Sequence, residues 1–174
     1  MDREDFLRYF DQVRERTMRV VRCIPSDKFD WTCREGAFTL GDLVRHLAAT
    51  ERYVFAECAC GRPSRYKGCG RELAEGRENI IGFMARLHAE SMQIIREMSD
   101  DQWNGRGTSP EGRPVTAWKM MRSMLEHEIH HRGQIYLYLG ILGVPTPPLF
   151  GLTEPQVASL SAEAAAAPIS KDPA

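Results

Sequence analysis

VTAWKMMRSMLEHEIHHRGQIYLYLGIL, residues 115–142, is the stretch that decides the fold. Its apolar residues recur with the 3.6-residue period of an amphipathic helix. Pro114 stands just before the stretch, and Gly143 and Pro145 follow it as ordinary helix stop signals. The stretch therefore predicts one long helix, which is the fourth along the chain.

Three histidines lie close together in this helix, and a helical wheel separates them. Advancing 100° per residue from His127 places His131 about 40° away, inside the apolar arc of the helix. His130 falls on the polar side by the same count. Side chains four residues apart on a helix are neighbours, so His127 and His131 form an inward pair that could grip one ion.

Three earlier segments show the same period, at about residues 2–22, 39–60 and 72–98. Thr39 is the predicted N-cap of the second helix, because Asp42 stands three residues later. The short stretch 103–114 is rich in glycine and proline, which predicts a turn or a small hairpin. We predict an all-α protein: an antiparallel four-helix bundle over residues 1–150 and a C-terminal tail over 151–174, with a possible short helix from Thr153 to Ala167.

Composition excludes several classes of function. The chain has 174 residues, 43% of them hydrophobic and 27% charged, with a formal net charge of −1. Positive and negative residues are mixed and no basic block stands out, so we expect no affinity for nucleic acid or for an anionic membrane. The N-terminus is charged and lacks the apolar segment of a signal peptide, so we expect none. No apolar run reaches the length of about 18 residues that is needed to span a membrane. We therefore expect a cytoplasmic protein.

Five cysteines occur, at positions 23, 33, 58, 60 and 69. An odd number in a chain of this size predicts free thiols in a reducing compartment. The spacing of Cys58, Cys60 and Cys69 matches no common zinc pattern, although a zinc site there is the alternative.

A third metal ligand would have to come from another helix. His46 lies on the border of the apolar face of the second helix, beside Leu43 and Leu47, and His88 on the third helix is the other candidate. A single core histidine that is hydrogen-bonded to a carbonyl or carboxylate is commonplace. Spacing alone therefore leaves both a metal site and ordinary buried histidines open.

Two motifs resemble the DinB-like family of metalloenzymes. They are HEIHHRGQI at 127–135 and TLGDLVRHLA at 39–48, with the closing element LGILGVP at 139–145. The resemblance covers about residues 3–148. It implies a four-helix bundle whose metal is held by three histidines, which match His46, His127 and His131. It also implies a homodimer. Zinc and nickel both accept imidazole ligands, and the sequence does not choose between them.

Some relatives in this family transfer a low-molecular-weight thiol, such as bacillithiol or mycothiol, to an electrophile. The resemblance thus implies a metal-dependent transferase acting on a small molecule. Metal-dependent hydrolysis is a second hypothesis, and a non-catalytic metal-binding or stress-associated module is a third. Three nitrogen ligands and an open position are typical of a catalytic rather than a structural site.

Four more residues are candidates for the site. Glu128 and Glu51 fall among apolar neighbours on their helices, so each could orient a ligand histidine or act as a general base. The alternative is an ion pair between helices, with Arg132 or Arg86. Tyr53 and Tyr138 point in the same directions as the histidines of their helices and could line a substrate pocket, although core packing is the commoner use of such tyrosines.

Overall fold

Four long helical stretches frame the protein in the computed structural model, which describes residues 2–166. In chain order the helices are α1 (Arg3–Val21), α2 (Leu40–Thr50), α3 (Ala56–Ala59), α4 (Arg77–Glu97), α5 (Asp100–Asn104), α6 (Ala117–Ile141) and α7 (Glu154–Ala166). α2 and α3 are one stretch, joined by a π-helical segment, Glu51–Phe55. The four-helix bundle predicted from the sequence is confirmed, with α1, α2–α3, α4 and α6 as its members.

The core consists of two apolar clusters along the bundle. One includes Val20, Leu43 and Leu139, and the other includes Phe10, Met121 and Trp103, all of them buried. α2 packs mainly on α4, and α1 packs mainly on α6. Burial of these stripes stabilises the bundle far more than helix propensity does.

The start of α2 is fixed by local chemistry, as predicted. The Thr39 hydroxyl accepts from the Asp42 amide at 3.0 Å, and the Asp42 carboxylate accepts from the Thr39 amide at 3.0 Å. The Gly41 amide donates to the Phe29 carbonyl at 2.7 Å. A Cβ at Gly41 would lie 2.9 Å from that carbonyl oxygen, so only glycine lets the preceding loop come this close.

One predicted boundary is wrong, and the other end of the same helix is as predicted. α4 begins at Arg77 and not near Glu72, because Gly76 has a φ of +78°, which breaks the helix, and Arg71–Leu73 form a separate 3₁₀ turn. α4 ends at Glu97 with Met98 as its C-cap, close to the predicted end at residue 98, and the Ser99 hydroxyl then accepts from the Gln102 amide and caps α5.

Beyond α5 the chain forms a small hairpin, as the glycine and proline content predicted. Strand β1 (Arg106–Thr108) pairs with strand β2 (Pro114–Thr116) in antiparallel register. The C-terminal helix α7 is exposed over the residues whose side chains are described; the predicted end of the tail helix at Ala167 lies outside the described residues. In residues 2–166 no helix combines the length and apolarity needed to cross a membrane.

Candidate metal centre

Three histidines from two helices meet at one point of the bundle. His46 comes from α2, and His127 and His131 come from successive turns of α6. One ring nitrogen from each lies within 4.8 Å of the other two. The Nε2 atoms of His46 and His127 face each other at 3.0 Å. The structure thus brings together the trio that the sequence predicted.

Hydrogen bonds orient two of the three rings. Nδ1 of His46 lies 3.0 Å from the Tyr66 hydroxyl, and Nδ1 of His131 lies 3.0 Å from Oε1 of Gln134. Because an amide oxygen only accepts, His131 donates through Nδ1–H and keeps its Nε2 lone pair free. The Gln134 amide nitrogen in turn donates to the Tyr138 hydroxyl at 3.0 Å.

Aromatic rings enclose the trio. Phe38 contacts His46 with ring centroids 5.2 Å apart and His131 at 6.5 Å, and Phe55 contacts His127 at 5.7 Å. Phe38 remains 39% exposed, so it marks the side on which the trio is open to solvent. The site therefore has aromatic neighbours, and its three histidines are only partly buried.

Burial keeps the three imidazoles neutral. It lowers the pKa of His46 to about 4, assisted by His131, and the pKa of His127 to about 3, assisted by the neighbouring histidines. Burial also lowers the pKa of His131, although its bond to Gln134 opposes the shift. Neutral imidazole is the form that binds a metal ion, so near pH 7 no proton has to be displaced.

The donor set fits a divalent metal. Imidazole suits both zinc and nickel, and bonds of about 2 Å from three nitrogens to one ion require the close spacing observed here. Within residues 2–166 no carboxylate or thiol joins this group of potential ligands. His130, predicted to point outward, is exposed on α6.

Glu51 and Glu128 lie elsewhere, in the buried centre of the bundle. Both carboxylates bind the guanidinium of Arg14, and all three side chains are 5% exposed or less. The predicted ion-pair partners, Arg132 and Arg86, were wrong: the partner is Arg14 from α1. Because Glu51 follows His46 on one helix and Glu128 follows His127 on another, Arg14 ties together the two helices that carry the trio.

Electrostatics hold this buried group in its charged form. Burial opposes ionisation of Glu51, but Arg14 and His88 outweigh it and lower the pKa of the carboxyl group. Burial likewise opposes the charge on Arg14, and the two glutamates outweigh it and raise its pKa. His88, the alternative third ligand, contacts Glu51 at 3.2 Å and is not part of the trio.

The two predicted pocket tyrosines occupy different surroundings. Tyr138 is 5% exposed, packs edge-on against Trp31 and lies 3.1 Å from the Cys33 thiol through its hydroxyl. Tyr53 lines a cavity of about 290 Å³ together with residues of the 61–73 segment. A role for either tyrosine in binding a substrate stays a prediction, as do the catalytic roles of Glu51 and Glu128.

The cysteines are free thiols, as predicted. Burial raises the pKa values of Cys58, Cys60 and Cys69, so these side chains stay protonated near neutral pH. Within residues 2–166 they do not form a group with metal-ligand spacing.

Several residues of the site were not singled out from the sequence. Gln134 had a readable signal, since it stands one turn after His131 and therefore beside it. Arg14 had one too, because it stands four residues after Phe10 on the buried face of α1. Tyr66 had none: it lies in an irregular loop, and only the fold brings it to His46.

The fold and the site together define a helical-bundle protein with a three-histidine candidate metal centre. The chain belongs to the DinB superfamily, whose profile matches residues 9–135. That span includes all three histidines, and the resemblance seen in the sequence is confirmed.

Relatives extend the likeness over most of the chain. YjoA of Bacillus subtilis, an uncharacterized protein, is 25% identical over 146 residues, which cover 82% of this chain and 92% of YjoA. Its crystal structure matches with a TM-score of 0.68 and 20% identity, covering 83% of this chain and 96% of that one. A DinB-like protein from Bacillus cereus ATCC 10987 matches with a TM-score of 0.71 and 18% identity, covering 83% and 95%.

YfiT from Bacillus subtilis also shares the fold, with a TM-score of 0.66 and 15% identity, covering 82% of this chain and 89% of YfiT. It is described as a probable metal-dependent hydrolase with an unusual four-helix bundle topology. At these identities the structural likenesses establish the fold.

Proposed function

We propose that this protein is a metal-dependent enzyme that joins a low-molecular-weight thiol to an electrophilic small molecule. One observation carries the proposal: three neutral imidazoles converge beside an open, aromatic-lined face, and no carboxylate joins them within residues 2–166. Zinc or nickel held by His46, His127 and His131 would supply a positive charge that lowers the pKa of a bound thiol.

The chain's own residues then bind and orient. Tyr66 and Gln134 fix the rings of His46 and His131, so that the ligand nitrogens need no rearrangement when the substrate arrives. Phe38 and Phe55 provide apolar walls for the body of the electrophile. In the step itself the thiol sulfur forms a bond to carbon, its proton passes to solvent, and the leaving group departs with its electron pair.

A thiol suits this site better than water does. A thiol has an ordinary pKa of about 8.5 and water about 15.7, so a modest electrostatic shift suffices for the thiol. Hydrolytic metal sites commonly add a glutamate as general base. Glu51 and Glu128 could fill that role by sequence, but each is bound to the buried Arg14. The arrangement therefore favours a nucleophile that requires no base.

Hydrolysis is the second candidate, because YfiT is described as a probable metal-dependent hydrolase and shares this fold. The two reactions differ in whether a thiol is consumed. A non-catalytic metal-binding module is the third candidate, and for it the metal would hold the fold without an exchangeable ligand.

The test is a thiol-transfer assay on the metal-loaded protein. The electrophile is 1-chloro-2,4-dinitrobenzene, and bacillithiol, mycothiol and glutathione are supplied in turn. We expect thioether formation and chloride release with at least one thiol, loss of the reaction in His131→Ala, and retention in the matched control His130→Ala. Turnover of p-nitrophenyl acetate without any thiol would favour hydrolysis instead. Unfolding on metal removal, with neither activity, would favour the non-catalytic module.

A further inference from the structure

A cavity of about 290 Å³ lies beside the loop that supports the metal centre. Tyr53, Arg65, Lys67, Gly68 and Leu73 line it. Two of these side chains are positive, one is aromatic, one is aliphatic, and the lining includes no acidic side chain.

The surroundings of the cavity carry a surplus of positive charge. The carboxylate of Glu57 accepts from Arg52 and Arg62, each at 2.5 Å, and from Arg65 at 2.6 Å. Glu90 accepts from Arg52 at 3.0 Å and from Arg86 at 2.9 Å. Four arginines thus share two carboxylates. Lys67 adds a further charge and has no ion pair within residues 2–166. Glu72, which precedes the lining residue Leu73 in the chain, offsets one of these charges, and the remaining surplus still favours an anion in this region.

Arg65 is held in place before any ligand arrives. Its guanidinium binds Glu57 and lies 5.7 Å from the centroid of the Tyr53 ring, and its amide donates to the Tyr53 carbonyl at 2.8 Å. That carbonyl lies in the π-helical segment Glu51–Phe55, where helix bonding shifts by one residue. The side chain of Arg65 nevertheless remains 56% exposed. Such a fixed but accessible cation loses little entropy when it binds an anion.

The loop that lines the cavity also contacts the metal centre through one residue. Tyr66 stands between Arg65 and Lys67 in the chain, and its hydroxyl lies 3.0 Å from Nδ1 of His46. One loop therefore carries both the two cations of the cavity and the hydroxyl that contacts His46. The cavity's size suits one planar anionic fragment rather than a whole cofactor.

We propose that this cavity is the recognition site for an anionic group, a carboxylate or phosphate, on an otherwise apolar small molecule. Arg65 and Lys67 bind the anion, and Tyr53 and Leu73 contact the apolar part next to it. The proposal that an anion binds here depends only on the residues of the cavity. The assignment of this molecule as thiol or electrophile substrate rests on the proposed function.

The test uses benzoate as the probe and benzamide as its neutral counterpart, with affinity measured by isothermal titration calorimetry. The protein carries His131→Ala and is freed of metal, so that benzoate cannot bind to an ion. We expect benzoate to bind at least tenfold more tightly than benzamide, because only benzoate offers charge-assisted bonds. Its affinity should fall as sodium chloride is raised from about 50 to 500 mM.

Variants locate the site. Lys67→Gln should weaken benzoate binding about tenfold, whereas Lys67→Arg should retain most of it. Arg71→Gln is the matched control, since Arg71 is a nearby exposed cation paired with Asp30 outside the cavity, and we expect a change below twofold. Thermal melting confirms folding, which the exposed Lys67 should not disturb.

Two results would overturn the proposal: equal affinity for benzoate and benzamide, or benzoate affinity within twofold of the parent in Lys67→Gln. Benzoate is then compared with phenyl phosphate. Tighter binding of benzoate would identify the preferred anion as a carboxylate, and tighter binding of phenyl phosphate would identify it as a phosphate; either result supports the site. Failure of thiol transfer would not alter these binding results, so the two proposals fail separately.

Discussion

Gln134 controls the geometry of His131 more directly than any other residue. Its amide oxygen accepts from His131, while its amide nitrogen donates to Tyr138, so the amide is held at both ends. We predict that Gln134→Leu lowers affinity for zinc by about 10–100-fold, because the ring loses the partner that fixes its orientation and tautomer. Competition against a chromogenic chelator measures the change. Gln93→Leu, on the exposed face of α4, is the control, and equal affinities in the two variants would contradict this role for Gln134.

Arg14 carries the charge balance of the bundle interior. Arg14→Met would leave Glu51 and Glu128 buried without their cation, and we predict a loss of about 3–5 kcal/mol in the free energy of unfolding. Chemical denaturation measures it. Arg8→Met, which removes an exposed arginine from the same helix, should change stability by less than about 1 kcal/mol.

A second variant separates charge from packing at the same position. Replacing Arg14, Glu51 and Glu128 together by Met, Leu and Leu removes the uncompensated charge, so much of the lost stability should return. If the triple variant is as unstable as Arg14→Met, the loss comes from packing and the electrostatic account of this cluster is wrong.

At the scale of single residues the sequence predicted the three histidines, but it did not predict the residues that contact and orient them, such as Gln134 and Tyr66. A helical wheel places His127 and His131 on one face and leaves His46 and His88 as candidates for the third ligand, and the resemblance to the DinB-like family selects His46. The partners of Glu51 and Glu128 were not readable in the same way, because a carboxylate on an inward face can meet an arginine from any neighbouring helix. Only the packing of α1 against α6 selects Arg14.

The start of α2 decides where His46 stands, and Gly41 makes that start possible. We predict that Gly41→Ala destabilises the protein by about 1–3 kcal/mol, because the added methyl group would meet the Phe29 carbonyl. Gly82→Ala is the matched control on α4. No atom lies within 4 Å of a Cβ built there, so alanine should be neutral or stabilise by up to about 1 kcal/mol. Thermal melting compares the pair, and similar effects would contradict the close-contact argument.

Elements with strong local signals were predicted well. The capping box at Thr39 fixed the start of α2, and glycine and proline indicated the β1–β2 hairpin. The start of α4 was misplaced because an apolar period continues through Leu73, whereas the backbone at Gly76 turns into the left-handed region. The π-helical segment Glu51–Phe55 was not predicted, since its sequence is compatible with an ordinary helix.

The whole molecule should respond to pH through the trio when metal is absent. The pKa of His46 falls from 6.5 to about 4 on folding, and that of His127 falls to about 3. Between these values and pH 6.5 the unfolded chain binds more protons than the folded chain, so acid favours unfolding. The lowered pKa of Glu51 also makes stability fall in acid, but only below 4.5, the ordinary pKa of a glutamate. The window from pH 7 to 5 therefore isolates the histidines.

We predict that the melting temperature of the metal-free protein falls between pH 7 and pH 5, measured by circular dichroism in the presence of a chelator. His127→Gln should reduce this slope, because one of the shifted groups is removed. His130→Gln is the control, since His130 is exposed on the same helix. A flat profile in the parent, or an unchanged slope in His127→Gln, would contradict the assignment of neutral, buried imidazoles.

Metal content tests the central claim most directly. The protein is purified without a metal-binding tag, and metal is quantified by elemental mass spectrometry. We predict about one zinc or nickel ion per chain in the parent and in His130→Ala, and loss of the metal in His46→Ala, His127→Ala and His131→Ala. Absence of metal from the parent, or its loss only with His130 or His88, would contradict the three-histidine centre.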